Sequence, residues 1–144
     1  MNELEECFRK GLLRKIPASE ENSIKSINKA KAMLIKAKEG IEYELFDSSL
    51  VLAYSAMFHA TRSLLLRDGI RERSHYCISR YLEGTYVKAK KLDLRIVLLL
   101  DRTRELRHEE LYSLEFYPTK EETSEAVRNA ETIIKSIAGI LKSE

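Results

Sequence analysis

The stretch "AYSAMFHATRSLLLRDGIRERSHY", residues 53–76, joins a long apolar segment to a basic corner. Around it, side chains that can pack recur at steps of four and three residues, at Leu50, Tyr54, Met57, Thr61 and Leu64. This spacing places them on one side of an α-helix. Gly69 directly follows Asp68, and glycine is the preferred residue just beyond a helix end. We therefore predict a buried helix that ends at Gly69.

The same periodicity predicts helices through most of the chain. They cover residues 3–15, a segment after Ser19, a segment starting near Asp47–Ser49, residues 74–88, residues 93–112 and a segment after Thr119. Strand-like alternation of useful length, internal repeats and linkers are absent from the sequence. We predict an all-α, up-and-down bundle of four to five helices. It forms one domain over residues 1–144, with a short N-terminal helix in 1–17 and the bundle in 18–142.

Composition narrows the possible functions. The chain has 144 residues, 44% of them hydrophobic and 33% charged, and a net charge of +2, which by itself favours neither nucleic acid nor membrane binding. Cys7 and Cys77 stand singly, so we predict buried free thiols in a reducing compartment, with no metal site and no cofactor. No apolar run is long enough to span a bilayer, so we predict a cytoplasmic protein without a membrane partner.

The segment "LLLDRTRELRHEELYSLEFY", residues 98–117, carries the main candidate site. At about 100° per residue, Arg104, His108 and Tyr112 lie one above another on the helix, with Asp101 beside them. Arg102 lies at the edge of the predicted core stripe. An arginine can bind phosphate oxygens and a histidine can move a proton near neutral pH. The alternative is that these side chains form ordinary surface ion pairs.

The predicted core stripe of this helix consists of Leu92, Ile96, Leu99, Thr103 and Leu106. Apolar residues also fall outside the stripe, at Val97, Leu100 and Leu111. A helix that is apolar on more than one side usually has a second neighbour. We therefore expect a second subunit to cover this helix near His108.

The basic corner after Gly69 offers a second candidate site. Arg71, Arg73, Ser74 and His75 are interpreted as a phosphate-contact patch, because a helix that begins after Ser74 points backbone N–H groups outward. The alternative is a solvated loop. His59 and Arg62, in the preceding helix, are interpreted as polar groups satisfied in the core or at an interface. The sequence contains no P-loop, GxSxG or HExxH motif.

Three segments together resemble the prokaryotic HEPN (higher eukaryotes and prokaryotes nucleotide-binding) family: "SSLVLAYSAMFHATRSLLLRDGIRERSHY", "LDRTRELRHEELY" and "SEAVRNAETIIKSIAGIL". The resemblance implies a dimeric helical bundle, often paired with a small nucleotidyltransferase as a toxin–antitoxin system. It further implies metal-independent RNA cleavage by an arginine and a histidine that are separated by four to six intervening residues. Arg102 and His108, with five residues between them, fit that spacing, and Tyr112 resembles the tyrosine that often follows the histidine.

The resemblance leaves two functions open. In the first, His108 transfers a proton, Arg102 or Arg104 stabilises the phosphate charge, and Arg71, Arg73 and His75 position RNA. In the second, the chain is a non-catalytic, dimeric module that binds a nucleotide, RNA or a protein partner. Helical geometry favours Arg104 as the neighbour of His108, whereas the family spacing favours Arg102.

Overall fold

A computed structural model describes residues 2–143. Its elements, in chain order, are α1 (Glu3–Arg9), β1 (Leu13–Lys15), α2 (Glu20–Glu42), α3 (Phe46–Asp68), β2 (Ile70–Glu72), α4 (His75–Leu82), a π-helical turn (Glu83–Val87), α5 (Leu94–Tyr112) and α6 (Lys120–Ser143). The prediction of an all-α bundle is confirmed. None of the helices in residues 2–143 combines the length and the apolar character needed to cross a membrane.

Local signals set most helix ends. The Ser19 hydroxyl accepts a hydrogen bond from the Asn22 amide at 3.0 Å and caps α2. At the start of α6, Thr119 and Glu122 form a reciprocal capping box, with distances of 3.1 and 3.0 Å. Gly69 ends α3 at φ +78°, and a Cβ there would lie 2.7 Å from the Ile16 carbonyl oxygen. Only glycine fits this position without strain.

Helices α2, α3 and α6 pack around the main core. Its buried apolar residues include Ile27, Leu34, Leu50, Met57, Leu64, Ile133 and Ile137. Small residues let α2 and α3 approach closely, and the hydroxyls of two α2 serines donate hydrogen bonds across the contact. Ser23 donates to the Ser63 carbonyl and Ser26 to the His59 carbonyl, each at 2.7 Å. Both hydroxyls therefore have hydrogen-bond partners although they are buried.

The N-terminal segment differs from its prediction. The helix expected over residues 3–15 ends at Arg9, and Gly11 adopts φ +73°, which turns the chain. Leu13–Lys15 then pairs antiparallel with Ile70–Glu72 as a two-stranded ribbon. The sequence did not predict this ribbon. Each strand has three residues, too few to show alternation in the sequence.

The prediction of free thiols was also wrong. Cys7 in α1 and Cys77 in α4 form a disulfide, with their Cα atoms 5.9 Å apart and a sequence separation of 70 residues. Both cysteines are buried. The bond fastens α1 to the beginning of α4. Sequence spacing does not reveal this pair, because only the tertiary fold brings the two segments together.

Of the stripe predicted for the fifth helix, Leu92, Ile96 and Thr103 are buried. Helix α5 also buries residues outside that stripe. Its buried residues are Ile96, Val97, Leu100 and Thr103. Val97 and Leu100, expected outside the core, therefore lie inside it, whereas Leu99 is only half-buried. The helix is rotated relative to the prediction because α5 packs against α3, α4 and α6 together. Leu98 and Leu111 remain exposed, at 58% and 46%.

We predict that replacing both cysteines, Cys7→Ser with Cys77→Ser, lowers the free energy of unfolding by about 2–4 kcal/mol, because the unfolded chain gains freedom when a long loop opens. Urea denaturation of the oxidised wild type and the double variant measures the difference. As a control, reductant should destabilise the wild type to the level of the variant and leave the variant unchanged. Equal stability of oxidised wild type and variant would contradict this role.

Candidate phosphate-binding groove

An open groove of about 490 Å³ lies where α5 passes the beginning of α4 and the middle of α3. It is lined by Tyr54, His75, Arg104, Glu105, Arg107, His108, Glu109 and Tyr112. Two imidazoles and two guanidiniums therefore line the same groove. Three separate helices supply the lining, and their relative positions decide whether the groups can act on one ligand.

Asp101 joins α4 to α5 directly beside the groove. Its carboxylate accepts hydrogen bonds from the Ser79 hydroxyl at 2.7 Å and from Arg80 Nη2 at 3.1 Å. It also lies 3.5 Å from Arg104 Nη2. Ser79 is fully buried, and the Asp101 side chain is only 22% exposed. Charge-assisted bonds to a largely buried carboxylate are strong and directional, so this contact fixes the register of the two helices.

The two groove arginines retain donors for a ligand. Within residues 2–143, the Nε atoms of Arg104 and Arg107 are buried and have no hydrogen-bond partner. The Arg107 guanidinium stacks 5.1 Å from the centre of the Tyr54 ring, and Arg104 lies 5.9 Å from that of Tyr76. These ring contacts hold the planar groups in place. Because these Nε atoms are buried, an anion in the groove would meet the terminal nitrogens and the positive charge of the two guanidiniums.

His75 stands at the first position of α4 with its ring packed between aromatic neighbours. Its Nδ1 contacts the Tyr54 hydroxyl, and its ring centre lies 4.3 Å from that of Phe58. Burial lowers the pKa of the His75 imidazole below the ordinary histidine value, and the guanidinium of Arg107 lowers it further. Burial also raises the pKa of Tyr54 to about 12. At neutral pH the pair is therefore a neutral imidazole beside a neutral phenol.

His108 is exposed on the opposite wall, and its ring centre lies 4.7 Å from that of Tyr112. Arg104, His108 and Tyr112 line the groove together. Arg102 does not line it: its side chain is 63% exposed and its Nε lies 3.9 Å from a Glu125 carboxylate oxygen on α6. The structure thus places Arg104 beside His108 and directs Arg102 to another side of α5.

The residues of the basic corner are divided between two places. His75 enters the α5 groove, whereas Arg71 and Arg73 line a separate groove on the β-ribbon. The Ser74 hydroxyl accepts a hydrogen bond from the Cys77 amide at 3.3 Å and so caps α4. Strand β2 ends at Glu72, which explains the division: the chain leaves the ribbon at Arg73 and enters α4 two residues later.

Sequence reasoning missed Arg107 and Tyr54 as groove residues. Arg107 follows Arg104 by three residues, and residues three apart are neighbours on a helix surface. This spacing could have identified Arg107 as a groove residue. Tyr54 follows the core periodicity of α3, and no pattern in the sequence indicates that its hydroxyl reaches His75. Arg62 pairs with Glu72 at 2.7 Å, as its interpretation as a satisfied polar group expected, and His59 lies outside this groove.

No group of three or more His, Cys, Asp or Glu side chains that could hold a metal ion occurs in residues 2–143. The α5 groove offers imidazoles, guanidiniums and phenols, together with the carboxylates of Glu105 and Glu109. They can bind an anion and exchange protons with it.

The helical bundle and its histidine–arginine groove are consistent with one family of helical domains. The HEPN domain family matches residues 24–140 of the chain. This match covers most of the sequence, and the chain belongs to the HEPN family. The match begins beyond α1 and β1, so both of these elements lie outside it. A comparison with curated proteins found no match.

Proposed function

We propose that this HEPN protein binds RNA in the α5 groove and cleaves it without a metal ion. The observation that carries the proposal is the placement of His75 and His108 in one groove with Arg104 and Arg107. Cleavage next to a ribose 2′-hydroxyl needs a proton acceptor, a proton donor and stabilisation of negative charge on the phosphate. The groove contains a side chain for each of these tasks.

His75 is suited to accept the proton of the 2′-hydroxyl because its lowered pKa keeps the imidazole neutral at pH 7. Since Tyr54 occupies Nδ1, Nε2 is the nitrogen that remains for this step. The 2′ oxygen then attacks the adjacent phosphorus, and the bond from phosphorus to the 5′ oxygen breaks. His108 donates a proton to that leaving oxygen. The products are a 2′,3′-cyclic phosphate and a 5′-hydroxyl.

Arg104 and Arg107 would stabilise the charge that develops on the phosphate oxygens. Preorganised donors of this kind often make the largest contribution to catalysis. Arg104 is preferred over Arg102 as the partner of His108, since Arg102 contacts Glu125 on α6. Tyr112, exposed and stacked on His108, is placed to contact a base or ribose.

The exposed side of α5 supports a homodimer as the active form. Leu94, Leu98 and Tyr112 are exposed, and at about 100° per residue they lie within about 40° of one another. His108 lies next to them on the same helix. An exposed apolar strip is typical of a protein–protein contact. A second copy placed there would close the groove and bring two sets of groove residues together.

By family resemblance we propose a toxin-like role, paired with a small nucleotidyltransferase antitoxin, in the cytoplasm where RNA is available. The competing function is a non-catalytic, dimeric module that binds RNA, a nucleotide or a protein partner. The groove alone suits both functions, because binding needs the arginines and cleavage needs the imidazoles as well.

We predict that the wild type cleaves single-stranded RNA in the presence of EDTA and leaves 2′,3′-cyclic phosphate ends. His108→Ala should lower the rate by about 100-fold or more, and Arg104→Ala by a similar factor. Gel analysis of end-labelled RNA measures both rates. Arg95→Ala, an exposed arginine on the same helix, is the control and should retain activity.

Binding of RNA by the wild type without cleavage would reject catalysis and leave the non-catalytic module. Loss of activity in Arg102→Ala with retention in Arg104→Ala would contradict the assignment of Arg104.

We predict that Leu98→Glu converts the dimer to a monomer, because a charge would be buried at the subunit contact. Sedimentation equilibrium measures the change in mass. Ile35→Glu on α2 is a matched control, since Ile35 and Leu98 are both 58% exposed. A wild type that is monomeric at micromolar concentration, or equal behaviour of the two variants, would count against a dimer through α5.

A further inference from the structure

The two-stranded ribbon carries a second basic groove, separate from the α5 groove. It has a volume of about 500 Å³ and is lined by Arg14, Lys15, Ile16, Arg71, Glu72 and Arg73. All four basic side chains are exposed. Two of them, Arg14 and Lys15, come from β1, which precedes the segment that matches the HEPN family. The N-terminal segment therefore adds a surface to the family domain.

The charges of this groove are not balanced within the protein. Arg14 and Arg71 are direct register partners in the ribbon, and like charges opposite one another destabilise a strand pair. Within residues 2–143, none of the four basic side chains forms an ion pair with a carboxylate. The groove's one acid, Glu72, is only 4% exposed and is paired with Arg62 at 2.7 Å. It therefore cannot neutralise its neighbours.

The ribbon groove lies close to the α5 groove along the chain. Arg71 and Arg73 line the ribbon groove, and His75, two residues after Arg73, lines the α5 groove. Two residues span at most about 7 Å. The segment from Arg71 to His75 therefore borders both the ribbon groove and the α5 groove, where cleavage is proposed.

A second physical link joins the two grooves. The Arg62 guanidinium, which pairs with Glu72, lies 5.0 Å from the centre of the Phe58 ring, and that ring packs 4.3 Å from His75. Arg62 and Arg71 also line a smaller groove that shares Ile16, Arg71 and Glu72 with the ribbon groove. Contacts through Glu72, Arg62 and Phe58 thus connect the ribbon with His75.

We propose that the ribbon groove binds the sugar–phosphate backbone of the RNA whose scissile phosphate occupies the α5 groove. This inference rests on the proposed function and extends it: Arg14, Lys15, Arg71 and Arg73 contact phosphates outside the cleavage site. Such contacts position a strand without reading its sequence. They favour substrates long enough to reach both grooves over dinucleotides.

The test compares the wild type with a double variant that carries both Arg14→Gln and Arg71→Gln. Binding is measured by fluorescence anisotropy at several salt concentrations, with a single-stranded 2′-O-methyl RNA of about a dozen nucleotides, which cannot be cleaved. We expect the variant to bind about tenfold more weakly, with the slope of log affinity against log salt reduced by about one or more. Cleavage of a dinucleotide should be unchanged.

The matched control is Lys31→Gln with Lys36→Gln, which removes two exposed charges from α2. It should retain the wild-type affinity and salt slope. Equal losses in the two double variants, or an unchanged ribbon variant, would overturn the proposal. Unchanged RNA binding by the ribbon variant, together with loss of its binding to a polyglutamate peptide, would overturn it in favour of an acidic protein partner.

Two further measurements distinguish this inference from the proposed cleavage and from a purely structural role of Arg14. One outcome is that the wild type does not cleave the dinucleotide while the ribbon variant still binds the longer RNA more weakly than the wild type. That result would reject the proposed cleavage and retain the proposal that the ribbon groove binds RNA. The melting temperature of Arg14→Gln should be unchanged or higher, because the substitution removes a like-charge pair. A lower melting temperature would show that Arg14 serves the fold, and would overturn the proposal.

Discussion

The Asp101 carboxylate is the contact on which the candidate site depends. It accepts hydrogen bonds from Ser79 and Arg80 on α4 and lies next to Arg104 on its own helix, α5. Without this contact, His75 at the start of α4 and His108 near the end of α5 would belong to two helices that could slide past one another. Removing one partner from a largely buried charged network is costly, because the remaining charges lose their compensation. The network therefore determines how precisely the groove is assembled.

The arginines around the site are divided between two tasks. Arg80 is a structural arginine, with its charge directed to Asp101 and nearby acids. Arg104 lies next to Asp101 through one terminal nitrogen, 3.5 Å from the carboxylate. Arg107 stacks on Tyr54. Both guanidiniums line the groove, where their positive charges would favour a bound anion.

The sequence predicted the fold well because helix periodicity and capping are local signals. The Ser19 and Thr119 caps and the Gly69 helix end are all confirmed. It failed where distant segments decide the structure. The Cys7–Cys77 disulfide and the pairing of Leu13–Lys15 with Ile70–Glu72 join residues far apart in the chain. No local pattern encodes such contacts, and short strands lack the length for a periodic signal.

In the candidate site, too, the sequence predicted the local arrangement but not the contacts between distant segments. Arg104, His108 and Tyr112 could be placed on one face because they share a helix. Spacing left Arg102 and Arg104 as alternatives, and in the structure Arg102 contacts Glu125 on α6 whereas Arg104 lines the groove. The burial of Val97 and Leu100 required knowledge of three neighbouring helices at once. Tertiary packing, rather than periodicity, set the rotation of α5.

The most direct measurement is an NMR titration of the wild type with a non-cleavable dinucleotide monophosphate, following the imidazole signals of His75 and His108. We predict that both signals shift along one saturation curve, because both side chains line one phosphate site. In the free protein His75 should titrate below the ordinary histidine pKa of about 6.5, and the bound anion should raise that pKa by favouring the charged imidazolium. Independent curves for the two histidines, or no shift of either, would contradict a single phosphate site between α4 and α5.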